Sequence, residues 1–185
     1  MKTIILDPGH GMSNRRPGHF DPGALSNGLR EADVVMDWAN DIRTYLLAIG
    51  HRVVRTRVDN SDPAPISARA GIAREYGGAI MLSIHCNAHT GAANGTETYY
   101  RGASNADLAR AINDAVVSAM GTRNRGIKQE KDSQHKTIAV MSFQPCFLLE
   151  IGFLDNASDR QKMLDLTIRK KACAKIAKIL SNAVG

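Results

Sequence analysis

The chain has 185 residues, 43% of them hydrophobic, 23% charged and 5% aromatic. That balance suits one compact domain with a sizeable core and excludes disordered and fibrous classes. The formal charge of +6 favours anionic partners: nucleic acid, acidic membrane surfaces or cell-wall polymers.

No stretch reaches the roughly 18 apolar residues that a membrane span needs, so no membrane insertion is expected. Only Lys2 precedes the first apolar run, too little for a signal peptide, so synthesis and folding in the cytoplasm are expected. Cys86, Cys146 and Cys173 are an odd set without CxxC spacing, and read as thiols of the core in a reducing compartment.

Strand-like and helix-like segments alternate. "TIILD" (3–7) reads as a buried strand. A helix follows over 31–49, with Val35, Trp38, Ala39, Ile42, Leu46 and Ile49 on its buried stripe and Gly50 at its end. "HRVVRTR" (51–57) is the next strand, "PISARAGIAREYGG" (65–78) a helix, and "AIMLSIH" (79–85) an apolar strand. "GTETYY" (95–100) alternates like an edge or antiparallel strand. Ser104 can cap a helix over 105–120, with Asp107 completing a capping-box-like start. "TIAVM" (137–141) and "CFLLEI" (146–151) read as short strands. A closing helix over 167–184 presents Ile168, Ala172, Ile176, Ile179 and Ala183 on one face and lysines on the other. The expected fold is a single α/β domain over 1–185, a twisted, mostly parallel sheet of about six strands with helices on both faces.

Three of the apolar strands run out into a residue that can bind a metal or a proton: His10, His85 and Glu150. Ligands of an open α/β sheet gather beyond the carboxyl ends of its strands. Glu31 opens the first helix, where a carboxylate also complements the helix dipole. Two histidines and one carboxylate form a catalytic zinc shell with a place left for water. A further carboxylate close by can then serve as general base, since zinc lowers the pKa of a water towards ~7. The chemistry suggested is hydrolysis of an unreactive bond such as an amide. Among the other histidines, His51 reads as a strand end. His89, His135 and the neighbouring Lys136 lie in polar loops from which each could reach a cleft.

The blocks "ILDPGHG", "DPGA", "GLREADVV", Thr56-Arg57 with Asp59, "SIHCNA", "GTETYY", "NRGIK" and "LLEIGFLDN" stand in one order across nearly the whole chain. In this the sequence resembles the zinc-dependent N-acetylmuramoyl-L-alanine amidases of the Amidase_3 family. The resemblance implies one Zn²⁺ held by His10, Glu31 and His85, with Glu150 as the catalytic glutamate. It also implies the substrate, peptidoglycan, cut at the amide between N-acetylmuramic acid and the L-alanine of the stem peptide. The insert "MSNRRPGHF" (12–20) is longer than the family's usual few residues there, and its Arg15, Arg16 and His19 are candidates for the cleft rim; Asn87 and His89 are further candidates for substrate binding. Cys86 stands where alanine is usual; beside His85 on a strand, its thiol should face the opposite side of the sheet.

A leaderless, basic catalytic domain looks most like a phage or prophage endolysin, a monomer that meets the wall after release, with peptidoglycan rather than nucleic acid as its partner. Two rival readings are a glycosidase using Asp21 or Glu31 with Glu150 as a carboxylate pair, and a non-catalytic basic module that binds the wall or nucleic acid.

Overall fold

In the computed structural model, which describes residues 2–134 and 136–185, the apolar run after Lys2 forms strand β1 (Thr3–Pro8). The His135 candidate lies outside the described residues. Two small hairpins follow: β2 (Gly11–Met12) with β3 (Phe20–Asp21), and β4 (Leu25–Ser26) with β5 (Leu29–Arg30). The first closes the insert into a loop beside His10. The chain continues through α1 (Glu31–Ile49), β6 (Arg52–Arg55), α2 (Arg69–Glu75), β7 (Gly78–Asn87), β8 (Thr96–Tyr100) and α3 (Ala106–Met120). It closes with β9 (Asn124–Gln129), β10 (Cys146–Phe153), α4 (Ala157–Leu164) and α5 (Leu166–Val184).

Six strands form one sheet in the order β6-β1-β7-β10-β8-β9. Every neighbouring pair is parallel except β10 with β8. The strands β8 and β9 therefore run opposite to the other four. Their amino ends lie at the edge where β1, β7 and β10 have their carboxyl ends.

Alternation along the strands divides the core in two. Ile4, Leu6, Ile80, Leu82, Ile84, Phe147, Leu149 and Ile151 pack with the helices α1, α3 and α5. Ile5, Met81, Cys146 and Leu148 turn to the other face and pack with Ala70 and Ala73 of α2 and with Val140, Met141 and Phe143. The first face is thickly covered. The second is covered by less, and polar side chains take over towards its carboxyl edge.

The expected α/β architecture with helices on both faces is what the chain adopts. Several local expectations need correction. The run 137–141 is not a strand: Ala139–Ser142 is a 3₁₀ turn, whose Val140 and Met141 are buried by its packing on α2 rather than by sheet pairing. The strand 95–100 is antiparallel to β10 but is not an edge, because β9 pairs beyond it. Ser104 caps nothing. Ala103–Asn105 makes a 3₁₀ turn, and α3 starts behind Asn105 without a side-chain cap.

The helix expected over 65–78 shortens to Arg69–Glu75. On α1 the stripe ends at Leu46, and Ile49 is 52% exposed. Gly50, at φ 100°, and His51 already turn the chain there by donating to the carbonyls of Leu47 and Leu46. On α5 the buried stripe runs through Leu180 and Val184, leaving Ala183 exposed. Helix α4 was not expected. Its cap is Asn156, whose side chain accepts from the backbone N–H groups of Ser158 and Asp159. All three cysteines are buried and unpaired.

Candidate active site and metal centre

His10 lies two residues past the end of β1 with φ 61°, a left-handed conformation that costs a non-glycine residue free energy. Two buried arginines hold the turn in this shape. Arg57 donates to the carbonyls of Pro8, Gly9 and Ala32 at 2.9, 2.7 and 2.9 Å. Arg69 donates to the carbonyls of Pro8 and His10 at 2.9 and 2.6 Å and to the Asp7 carboxylate at 2.7 Å. Asp7 also accepts from Thr56 and Ser83. Burial alone would push its pKa up, but the Arg69 charge and these hydrogen bonds outweigh that and hold it below the ordinary value.

The turn aims the His10 ring at Glu31, the first residue of α1. Nε2 of His10 lies 3.0 Å from Glu31 Oε1, and Nδ1 of His85, on β7, lies 3.1 Å from the same oxygen. The two rings meet edge to face with centroids 4.9 Å apart. One donor atom from each of the three residues falls within 4.8 Å of the others. Glu31 is fixed from behind, because Cys86 N–H donates to Oε1 at 2.8 Å and Ala24 N–H to Oε2 at 2.9 Å. Burial raises its pKa, yet the two histidines dominate and keep the carboxyl well below the usual range. The close fit needs a glycine at Gly23 (φ 66°), where a Cβ would stand 2.6 Å from Glu31 Oε2.

This donor set fits zinc: two imidazole nitrogens and one carboxylate oxygen converging from three separate elements. A metal-binding histidine needs its other nitrogen anchored. His10 has that anchor, since Nδ1 lies 3.1 Å from Asp21 Oδ2. Asp21 is steadied in turn by Asn14 Nδ2 at 2.7 Å and by the Gly23 N–H at 3.0 Å. Asn14 comes from the insert, is buried, and also accepts from Arg69. The insert thus supports His10 from below as well as edging the cleft.

Glu150 pairs in register with His85 on one side and with Glu97 on the other. Paired residues share a face, so the three side chains stand in a row across β7, β10 and β8. Strand β10 does not end at Glu150 as expected, nor β7 at His85. They run on to Phe153 and Asn87, with one extra residue accommodated on β10 between Glu150 and Phe153. One Glu150 oxygen is buried and without a partner among the described residues. Burial, then the carboxylates of Glu31 and Glu97, push its pKa well above the ordinary value, with Lys128 opposing. A buried acceptor left open in this way calls for a functional reason.

In the glycosidase reading, neither proposed partner of Glu150 is free. Both Glu31 oxygens are engaged, and Asp21 is held by His10, Asn14 and Gly23. The Cys86 thiol faces the helical core and contacts Met163 there, on the side away from His85.

The site opens into a cleft of about 1020 Å³. Arg15, Asn87 and His89 line it, whereas Arg16, His19 and Lys136 are exposed outside its lining. The sequence reading missed Glu97, Arg125 and Lys128 as a group. They form the far wall, and only the blocks "GTETYY" and "NRGIK" hinted that these positions were special.

An open, mostly parallel sheet that brings two histidines and a carboxylate together beside a glutamate with one unpartnered oxygen has the layout of a hydrolase with a candidate metal site. The comparisons define the family. The chain belongs to the Amidase_3 family, N-acetylmuramoyl-L-alanine amidase, whose model matches residues 4–182. It is 34% identical over 180 residues to the N-acetylmuramoyl-L-alanine amidase LytC of Bacillus subtilis, an alignment covering 95% of this chain and 34% of LytC. The chain thus spans about a third of that relative's length. It is 32% identical to the sporulation-specific N-acetylmuramoyl-L-alanine amidase of Bacillus subtilis over 88% of this chain and 60% of that protein. Among solved structures, the catalytic domain of CwlV from Paenibacillus polymyxa superposes with a TM-score of 0.83 at 27% identity, covering 98% of this chain and 97% of that domain.

Proposed function

We propose that the chain hydrolyses the amide between the lactyl group of N-acetylmuramic acid and the L-alanine of the peptidoglycan stem. In this reading His10, Glu31 and His85 hold one zinc ion, and Glu150 is the general base. The observation that carries it is the unpartnered Glu150 oxygen in register beside His85, on the face where the three donor groups converge. Zinc bound there supplies a Lewis acid that polarises the amide carbonyl and acidifies water.

The protein's own groups do the rest. Glu150 accepts the proton of the attacking water and passes it to the departing alanine nitrogen. The carboxylate lines the cleft beside His85, where it can meet the attacking water. Asp21 fixes the His10 ring so that Nε2 points at the donor set. In this reading Arg15, Asn87 and His89, which line the cleft, bind the polymer there, and Arg16 and His19 meet only the longer strand outside it. The +6 charge favours an anionic wall and asks for no nucleic-acid partner. With that charge as its support, the reading extends to a monomeric lysis enzyme of phage or prophage setting, stored in the cytoplasm and acting on the wall after release.

Digestion of purified peptidoglycan tests the reaction. Mass spectrometry should find free stem peptides that begin with L-alanine. They should vanish with phenanthroline and return with added Zn²⁺. New reducing sugar ends in their place would overturn the reading. For the lysis setting, expression with and without a holin should give lysis only with it.

A further inference from the structure

The far wall of the cleft holds two cations on a single buried carboxylate. Glu97 Oε2 accepts from Arg125 Nε at 2.6 Å and from Lys128 Nζ at 2.7 Å. Its other oxygen accepts from Asn87 and from the Tyr99 hydroxyl, both at 3.1 Å. The carboxylate is therefore saturated, and the group keeps a net positive charge. Both cations are partly open to the cleft, with 27% and 32% of their side chains exposed. The only hydrogen bond of Lys128 Nζ among the described residues is the one to Glu97, so its remaining hydrogens are available to an acceptor in the cleft.

The backbone is shaped to present them together. Residues three apart on a strand point to opposite faces. Arg125 and Lys128 nevertheless reach the same carboxylate, because Thr96 pairs with Asn124 but Glu97 with Gly126, leaving Arg125 as an extra residue on β9. Gly126, at φ 80°, completes this bulge. The Arg125 guanidinium also stacks over the Phe153 ring at 4.9 Å, which holds it at the cleft wall.

The position of the group relates it to the reacting bond. His85, Glu150 and Glu97 stand in register on successive strands. One strand spacing puts Glu97 roughly 5 Å from Glu150. An extended peptide covers that in about two residues. A peptide whose alanine nitrogen lies at Glu150 thus brings the acidic side of its next residues to Arg125 and Lys128. Among the described residues the opposite wall offers Arg15, which lies 3.3 Å from Asp21 and is 73% exposed.

We infer that Lys128 and Arg125, held by Glu97, form a subsite for a carboxylate of the stem peptide within two residues of the alanine, and so select stems whose second residue keeps its free carboxylate over amidated ones. This rests on the amidase reading for the direction in which the peptide lies. Besides Glu97, the acidic groups lining the same cleft are Asp7, Asp21, Glu31 and Glu150, all away from the two cations, so a carboxylate is better placed on this wall.

Two measurements on the full chain test it. The first is turnover of N-acetylmuramoyl-L-alanyl-D-isoglutamate against its D-isoglutamine counterpart. The acid should win by about tenfold in kcat/KM, through KM, as expected for one charge-assisted hydrogen bond. K128M should collapse this ratio towards one, and K128R should restore most of it. Equal rates in the wild type, or a K128M variant that loses both substrates in the same proportion, would overturn the inference; the second result would make Lys128 a partner of Glu150 instead. The second measurement is calorimetric binding of L-alanyl-D-isoglutamate and L-alanyl-D-isoglutamine. Tighter binding of the acid supports the subsite, and equal binding overturns it. A chain that prefers the acidic dipeptide yet cleaves neither muramyl substrate upholds the subsite and sinks the amidase reading.

Discussion

Gly9 lies against the ring of His85 so closely that a Cβ on Gly9 would stand 2.2 Å from Cε1 of that ring. The contact is with the ring itself, and the ring is also held by Glu31 at 3.1 Å, so neither partner has room to yield. Gly9→Ala should therefore displace the imidazole. We expect zinc affinity to drop by about tenfold, as when the support of a metal ligand is lost, and overpacking to cost about 1–3 kcal/mol of stability. Competition titration with a chromophoric chelator, alongside urea denaturation, measures both. Unchanged affinity would show that His85 is not set by this contact.

Asp21 acts at one remove, through Nδ1 of His10. Its removal leaves every proposed ligand in place but frees the ring to turn. Asp21→Ala should weaken zinc binding by about 10–100-fold. Excess Zn²⁺ should restore much of the activity, which separates a ring-orienting role from a chemical one. If activity stays low at saturating zinc, Asp21 does more than orient His10.

Glu150 gives the opposite pattern. Glu150→Gln should keep zinc affinity within a few-fold of wild type and lower kcat by about 10²–10⁴, the usual share of a general base. Wall lysis at near wild-type rate by this variant would remove Glu150 from the mechanism.

Acid should loosen the ion pair of Asp7 and Arg69 beneath the site. The folded pKa of Asp7 lies below its ordinary value of 3.8, so the unfolded chain binds this proton more readily than the folded one. Its contribution is fully present above about pH 4 and fades as the pH falls through the folded value. Asp7→Asn should cost about 3 kcal/mol at neutral pH, because it leaves the buried Arg69 without its counter-charge. That difference between wild type and variant should shrink as the pH drops below about 4. Denaturant melts at pH 7, 4 and 3 would read it, and a gap that stays constant would contradict the assigned pKa direction.

The expected ligands were legible for a local reason. A run of apolar residues that breaks off at a histidine or glutamate needs only strand periodicity to be noticed, as with His10, His85 and Glu150. Glu31 was visible as the acid that opens a long amphipathic helix. The cations opposite were not legible in the same way. Arg125 and Lys128 share a face only because of a bulge, and Glu97 reaches the Glu150 row only because β8 is reversed. Neither fact has a local sequence signature. The run 137–141 misled for the opposite reason: its β-branched residues promised a strand, but burial against α2 satisfied them in a 3₁₀ turn. Arg57 and Arg69 carry no local sign of burial, because the carbonyls that hold them lie in the distant His10 turn.

The reversal of β8 and β9 has an evolutionary consequence. Every proposed zinc ligand lies before residue 86 and the proposed base follows at Glu150, while the cationic wall comes wholly from the segment between them, 95–129. Exchange or drift of that one segment can retune which stem peptides are accepted and leave the hydrolytic centre intact. The fold keeps its chemistry and its taste in substrates on separately inherited stretches of chain.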